Sequence, residues 1–341
     1  MMSGQEEFIG KRVPSRSEER PEKQEMKGWY EPMWCREKRK LTARIMLVVS
    51  CIWCLFAFST LAADLELIAS GIVSSPSRSA RGLSLSPDLK SLYGAGIQDR
   101  WLVKIDIASQ KVVATADLTQ VHPGAYGKAV WVDSQGDVWA PLTEPFLAVY
   151  SADLQLKASY DLSSYGVVAP EGVAVSPAGE VYVTDRQGRG GVYKFRLEDG
   201  KLVPVTEWGT NGHVSIGKDL RQPGISPDGD LLVGSFGSSG VYLITAAEGQ
   251  VKVLNETIGD PYHVVADGSG RIYVAHYGRY DVAVSILRSD GTIEKTWRPA
   301  DFQMQTETSG IAVSPDGSLL CVLDQRTGQG GIARVFKVKN D

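Results

Sequence analysis

Three basic residues, Arg81, Lys128 and Arg221, each stand five positions before the serine or aspartate that opens a turn in three similar segments, GLSLSPDLKSLYG, AVWVDSQGDVWA and PGISPDGDLLVGS. Three further copies of the segment place Glu171, Tyr262 and Ser309 at the same position. If the six positions face one another, the guanidinium and ammonium groups converge where they can hold a carboxylate or other small anion, with Tyr262 beside them. Arg81, Lys128, Arg221 and Tyr262 are therefore the candidate ligand-binding residues. The competing reading is that Glu171 and Asp185 neutralise the cations as structural ion pairs.

All four histidines, His122, His213, His263 and His276, fall on the same side of the repeat as these cations. Three neutral imidazoles meeting there would suit Zn²⁺ with an open coordination position, although hydrogen-bonded structural histidines are the commoner use. The candidate metal ligands and acid/base groups are Glu171, Asp185, His263 and His276, and the cofactor to consider is a divalent cation, Ca²⁺ or Zn²⁺. After residue 63 there is no G-x-S-x-G, H-E-x-x-H or C-x-x-C motif. Gly-rich TDRQGRGG, SFGSSG and RTGQGG do not lead from a strand into a helix, which argues against nucleotide binding.

These positions come from a repeat of an apolar run, a Ser-Pro-Asp-Gly-like turn and a second apolar run. The other copies are GVAVSPAGEVYVTD, VVADGSGRIYVAH and GIAVSPDGSLLCVLD. The turn glycine, or its replacement, falls at Leu89, Gly136, Gly179, Gly229, Gly270 and Gly317, spaced by 47, 43, 50, 41 and 47 residues. Proline sets the negative φ of such a turn and glycine accepts the positive φ at its exit, so Leu89 predicts a strained or differently shaped first hairpin. Third and fourth apolar runs follow, such as LVKIDI and KVVATADL. Four antiparallel strands repeated six times predict an all-β fold, a six-bladed β-propeller, over residues 64–341. The sixth unit lacks a fourth run, and LELIASGIV from Leu65 is an orphan that would complete it and cover two open edges.

Aligning the units predicts two further rows on the same face. Gly82, Ala129, Gly172, Gln222, His263 and Gly310 follow the cationic row, and Ala95, Leu142, Asp185, Ser235, His276 and Leu323 stand at the exit of the second strand, with Asp324 next. The long connections GTNGHVSIGKDLR and ADFQMQTETS have the length of binding or capping loops.

PEGVAVSPAGEVYVTD and ETSGIAVSPDGSLLCVLD resemble the repeats of the NHL, YncE-like and SMP-30/gluconolactonase-like propellers, over about residues 65 to 341. In the lactonase branch the resemblance implies a channel-bound divalent metal held by Glu, Asn and Asp. Glu171 and Asp185 fit its Glu-Gly and Tyr-x-x-Asp patterns but fall in one blade. Of Asn211, Asn255 and Asn340, none lies on a rim row.

Residues 1–44 form a charged prefix, and residues 45–63 (IMLVVSCIWCLFAFSTLAA) an uncharged apolar run that ends in small residues. This reads as a signal peptide cut after Ala62 or Ala63, or alternatively as a membrane anchor. The expectation is export, periplasmic or secreted, with membrane contact only through an uncut segment. Cys35, Cys51 and Cys54 precede the repeats, leaving Cys321 with no partner among them. Beyond residue 63 there are 25 basic and 32 acidic side chains, so nucleic acid is a poor partner. Two functions fit: binding of a small anion, glycan or protein at the channel rim, or metal-dependent hydrolysis or elimination on a lactone, ester or uronate-like substrate.

Overall fold

The computed structural model describes residues 64–339 other than Lys218 and Tyr280. The apolar segment 45–63, the prefix before it, and Cys35, Cys51 and Cys54 lie outside the described residues. Six antiparallel sheets make six blades, each with its first strand innermost. Blade 1 comprises Ala80–Leu85, Ser91–Gly96, Trp101–Asp106 and Lys111–Asp117, and blade 2 Trp131–Val132, Val138–Pro141, Phe146–Tyr150 and Leu156–Asp161. Blade 3 comprises Pro170–Val175, Glu180–Asp185, Gly191–Glu198 and Lys201–Pro204, with a short extra strand, His213–Val214, on its third. Blade 4 is built from Gly224–Ile225, Leu231–Gly234, Val241–Ile244 and Val251–Asn255, and blade 5 from Pro261–Ala266, Ile272–His276, Val284–Leu287 and Ile293–Trp297.

Blade 6 takes Thr308–Val313, Leu319–Thr327 and Gly330–Val338 from the end of the chain, and its fourth strand, Leu65–Ile72, from the beginning. Leu65 pairs with Val338, Ala69 with Val335 and Ile72 with Ile332. The orphan segment thus covers the edge that the repeat leaves open. Just beyond, Val73 N–H donates to the Gly331 carbonyl at 2.8 Å and Gly331 N–H to Ser74 Oγ at 2.7 Å. Gly330 (φ 111°) permits this junction, since a Cβ there would stand 2.0 Å from the Ser74 carbonyl.

The hairpin turns have a common first residue, a side-chain oxygen acceptor. Ser86, Asp133, Ser176, Ser226, Asp267 and Ser314 each accept the N–H of the residue that leaves the turn, at 2.9 to 3.2 Å. This local bond offers the backbone a turn in place of further ladder pairing, which explains why Ser or Asp opens every copy. In blades 1 and 6 the turn holds one more residue than in the other four, closing from Ser86 to Ser91 and from Ser314 to Leu319. Leu89 takes the left-handed conformation at φ 59°. Gly317 takes the same conformation at φ 70° in blade 6, so the first hairpin has the shape of the sixth and Leu89 occupies the glycine position without changing the turn.

Between blades, apolar side chains from facing sheets interlock. Leu102, Tyr93, Val138 and Tyr150 fill one interface, Leu147, Val149, Tyr193 and Phe195 the next, and Ile311, Phe302, Tyr273 and Phe336 the interface of blades 5 and 6. Each buried side chain of this size contributes about 1.5 to 3 kcal/mol. At the centre, adjacent innermost strands approach through glycine. A Cβ on Gly310 would lie 2.9 Å from the Gly82 carbonyl carbon and from Leu83 N, and one on Gly172 would lie 2.6 Å from Gln222 Cα. Hydrogen bonds stitch the same level: Ser309 Oγ–H donates to the Ala80 carbonyl, Thr184 Oγ1–H to the Arg221 carbonyl and Gln222 Nε2–H across the channel to the Val130 carbonyl.

Gly310 has no positive φ, so an added methyl there reports crowding alone. Gly310→Ala is expected to lower stability in urea unfolding by about 1 to 3 kcal/mol. A change below about 0.5 kcal/mol, the scatter of neutral surface substitutions, would contradict the close strand approach.

Candidate functional site

At the end of the channel where the innermost strands begin, the predicted row converges on one carboxylate. Glu171, only 2% exposed, accepts from Arg221 Nη1 at 2.6 Å and from Arg81 Nη1 at 3.2 Å through Oε1. Its Oε2 lies 3.4 Å from Lys128 Nζ. Arg221 reaches outward with Nη2 to Asp219 Oδ1 at 2.8 Å, and Arg186 stands 3.9 Å from the same oxygen. Around Glu171, then, three cations meet two carboxylates and a fourth cation borders them.

Aromatic rings wall the cluster. The Arg221 guanidinium lies 4.9 Å from the Phe236 ring centre and 5.3 Å from that of Tyr262; Arg81 lies 5.7 Å from Tyr262, and Lys128 Nζ 5.1 Å from Tyr126. Such contacts favour the charged form of a partly desolvated cation. Tyr262 also packs on Tyr277, with ring centres 4.9 Å apart. Burial pushes the Tyr262 phenol well above its ordinary pKa, outweighing the pull of the two guanidinium groups, so it stays protonated. Its hydroxyl, Arg81 Nε and Arg221 Nε have no hydrogen-bond partner. Arg81 and Tyr277 also border a cavity of about 620 Å³ with Gln98, Gln325, Glu307 and Arg326. The arrangement is an electropositive, aromatic-walled rim whose donors are not all used.

Ser309, from the same row, turns instead to the backbone of blade 1. Both long connections reach the rim: the first supplies Asp219, and the second places Gln305, Thr306 and Glu307 in the cavity wall.

The candidate metal ligands do not come together. Asp185 is fully buried, with Oδ1 accepting Ala169 N–H at 2.9 Å and Gln187 N–H at 3.1 Å, and Oδ2 accepting Val168 N–H at 3.2 Å. It pins the segment that enters its own blade. Asp324 does the same for Gln305 and Thr306 N–H, both at 2.9 Å, and pairs with Arg334 at 3.1 Å. His276 donates from Nδ1 to the Gly259 carbonyl at 2.7 Å and accepts the Ser285 hydroxyl at Nε2, 2.8 Å away. Burial lowers its pKa. His263 accepts Ile311 N–H at Nδ1 (3.1 Å), bridging blades 5 and 6, and burial lowers its pKa to about 3. His213 donates to the Gly190 carbonyl at 2.5 Å and His122 stacks on Phe146. Among the described residues no three His, Cys, Asp or Glu side chains lie together as a metal site requires. A divalent cation in the lactonase manner does not fit here, because the carboxylate at the channel mouth is already ringed by cations.

The exit row needs a correction of register. Ala80 pairs with Gly96, Pro170 with Asp185, Pro261 with His276 and Thr308 with Asp324. Gly96 and Asp324, not Ala95 and Leu323, are thus the equivalents of Asp185, displaced by the extra turn residue in blades 1 and 6. The row one position further on, Ile97, Thr143, Arg186, Phe236, Tyr277 and Gln325, is the one that lines the rim. Each of its amides donates to the carbonyl two residues before its blade's member of the row Arg81, Lys128, Glu171, Arg221, Tyr262 and Ser309. Sequence reasoning stopped one residue short of Arg186, Phe236 and Tyr277.

No family model matches this chain, and no curated protein matches it in sequence. Its fold matches solved structures. A gluconolactonase from Xanthomonas campestris aligns at TM-score 0.59 and 15% identity, over 82% of this chain and 93% of that one. A calcium-binding regucalcin from Agrobacterium tumefaciens aligns at TM-score 0.58 and 18% identity, over 81% and 98%. A chain of a nidogen/laminin complex aligns at 0.55 and 17%, over 69% and 85%. The chain is a six-bladed propeller of their fold.

The low pKa of His263 fixes a pH dependence. Its unfolded value is about 6.5, so below that pH the unfolded chain binds a proton that the folded chain refuses. Stability present above pH 6.5 is lost as pH falls toward 3, by about 3 kcal/mol at pH 4 for this residue. His263→Asn, whose Oδ1 can replace Nδ1 as acceptor, is expected to flatten the acid limb of urea-unfolding stability between pH 7 and 4. An unchanged slope would show that His263 is not held neutral.

Proposed function

We propose that this protein is an exported propeller that binds a small carboxylate-bearing molecule at the channel rim, either free or as an acidic group of a glycan or protein. One observation carries the reading. Arg81, Lys128 and Arg221 share a single buried carboxylate, Glu171, while Arg81 Nε, Arg221 Nε and the Tyr262 hydroxyl remain without partners. Glu171 holds the cations together in the free protein, and the surplus of positive charge and donors suits a second anion arriving from the rim. Arg81, at 19% side-chain exposure, and Lys128, at 10%, are the groups such an anion reaches first. Bidentate capture by a guanidinium and stacking of a sugar or aromatic face on Tyr262 and Tyr277 would then set orientation.

The likeness in fold to a gluconolactonase favours a second reading, hydrolysis or elimination on a lactone, ester or uronate-like substrate. Glu171, Asp185, His263 and His276 do not converge, so such chemistry would rest on Arg81, Lys128 and Arg221 stabilising developing negative charge, with Glu171 as the base.

Glucuronate and citrate, titrated into the protein in metal-free buffer without soluble chelator, are expected to raise its melting temperature saturably. Arg81→Met with Lys128→Met should weaken that response at least tenfold. Glu171→Gln removes the internal anion and leaves buried cations unpaired, at a cost of about 3 to 5 kcal/mol that added anion should partly restore. No response to either carboxylate in that buffer would refute the binding reading. Turnover of glucono-1,5-lactone above the buffer rate, lost in Glu171→Gln, would establish the second.

A further inference from the structure

The opposite end of the channel, where the six hairpin turns gather, carries a second and chemically different recess. Two adjoining hollows of about 240 and 330 Å³ share the walls formed by Trp131, Val132, Ile225, Ala266, Val313 and Pro315. His263 lies at the inner end of the first. The glycine contacts between innermost strands separate this recess from the cationic rim.

Two buried polar atoms of its lining have no partner, Trp131 Nε1 and His263 Nε2. Both are donors. Indole nitrogen only donates, and because His263 Nδ1 accepts the Ile311 amide, the proton of the neutral imidazole sits on Nε2. The two carboxylates at the edge are spoken for: Asp133 Oδ1 accepts from the Gln135 and Asp137 amides and its Oδ2 from Trp139 Nε1, while Asp267 Oδ1 accepts from the Ser269 and Arg271 amides and its Oδ2 from the Tyr273 hydroxyl. An apolar recess with two unused donors selects a molecule with acceptor oxygens and little else that is polar.

Charge narrows the class. The turns around the opening carry Asp88, Asp133, Asp137, Glu180, Asp228, Asp230, Asp267 and Asp316 against Lys90 and Arg271, which disfavours an anion. A cation would be drawn toward the opening, but the carboxylates of the wall, Asp133 and Asp267, are already taken by turn amides, a hydroxyl, a phenol and an indole. We propose that this recess binds a small neutral aromatic or alicyclic carbonyl compound, such as an aryl ketone, whose oxygen accepts from Trp131 or His263 while its hydrocarbon part packs on Ile225, Val313 and Pro315.

The probes are 2-acetylnaphthalene and 2-ethylnaphthalene, matched in shape and differing in the carbonyl. In ¹H–¹⁵N spectra of the protein as isolated, the indole signal that disappears in Trp131→Phe, or the His263 ring N–H, should shift saturably with the ketone. The ketone should bind at least fivefold tighter than the hydrocarbon. Val313→Trp, which fills the recess, should abolish both, with cooperative thermal unfolding showing that the variant is folded. The proposal is overturned by no saturable shift, by equal affinity for the two probes, or by ketone binding that survives in folded Val313→Trp. The cationic rim is not involved in any of these readouts, so failure here leaves the anion reading standing, and the converse.

Discussion

Everything functional in this molecule depends on six innermost strands approaching closely enough to share one channel. That approach is a steric condition before it is an energetic one: Gly82, Gly172 and Gly310 lack the carbon that would strike the neighbouring backbone. Once the strands touch, short polar side chains bond across the seams, Ser309 to blade 1, Thr184 to the stretch entering blade 4 and His263 to blade 6. Closing the circle with Leu65–Ile72 converts local contacts into a constraint on all blades, because the last blade is then built from both ends of the chain. The rim residues inherit their mutual distances from that circle. Arg81, Glu171 and Arg221 meet although 140 residues separate the first from the last.

The carboxylate of Glu171 explains why this rim differs from a metal centre of the same fold. A divalent cation needs several anionic or carbonyl oxygens around one point, whereas here several cations surround one carboxylate. The electrostatic sense is inverted. Buried ion pairs seldom add net stability, since desolvation offsets most of the attraction, but removing one partner is costly. A cluster built that way is better understood as holding a defined charge distribution in place than as holding the blades together; the apolar interfaces do the latter.

Much of this was legible in sequence, for reasons that differ by residue. The six turns are local, each specified by an oxygen-bearing first residue and a glycine that tolerates positive φ, so their number and spacing gave the blade count. Arg81, Lys128, Glu171, Arg221 and Tyr262 were found because the repeat places equivalent positions on one circle. The exit row was misaligned by one in blades 1 and 6 because Leu89 and Gly317 occupy the apparent glycine slot while the turn itself closes one residue later. Arg186, Phe236 and Tyr277 were missed for want of extending that row by one position. The histidines misled for another reason: equivalence in a repeat tells which end of a blade a residue occupies, but not which neighbour claims its ring. His276 is claimed by Gly259 and Ser285, and His263 by Ile311.

The same comparison shows how one scaffold position serves two purposes. Position by position, Gly96, Leu142, Asp185, Ser235, His276 and Asp324 sit where the incoming connection must be tied down, and the acidic members do so by accepting backbone amides. A motif match to Asp185 therefore identifies a structural clamp, even where a similar Tyr-x-x-Asp pattern in another propeller suggests chemistry. The residues next in line project over the channel mouth and are free to vary in kind, from Ile97 to Arg186 to Tyr277, without disturbing the clamp. Such a division lets a propeller change its ligand by altering the outer row while the inner one keeps the blades in register. On that logic the rim of this chain is set apart by the residues that depart from their repeat equivalents, and those are the cations and the aromatic rings beside them.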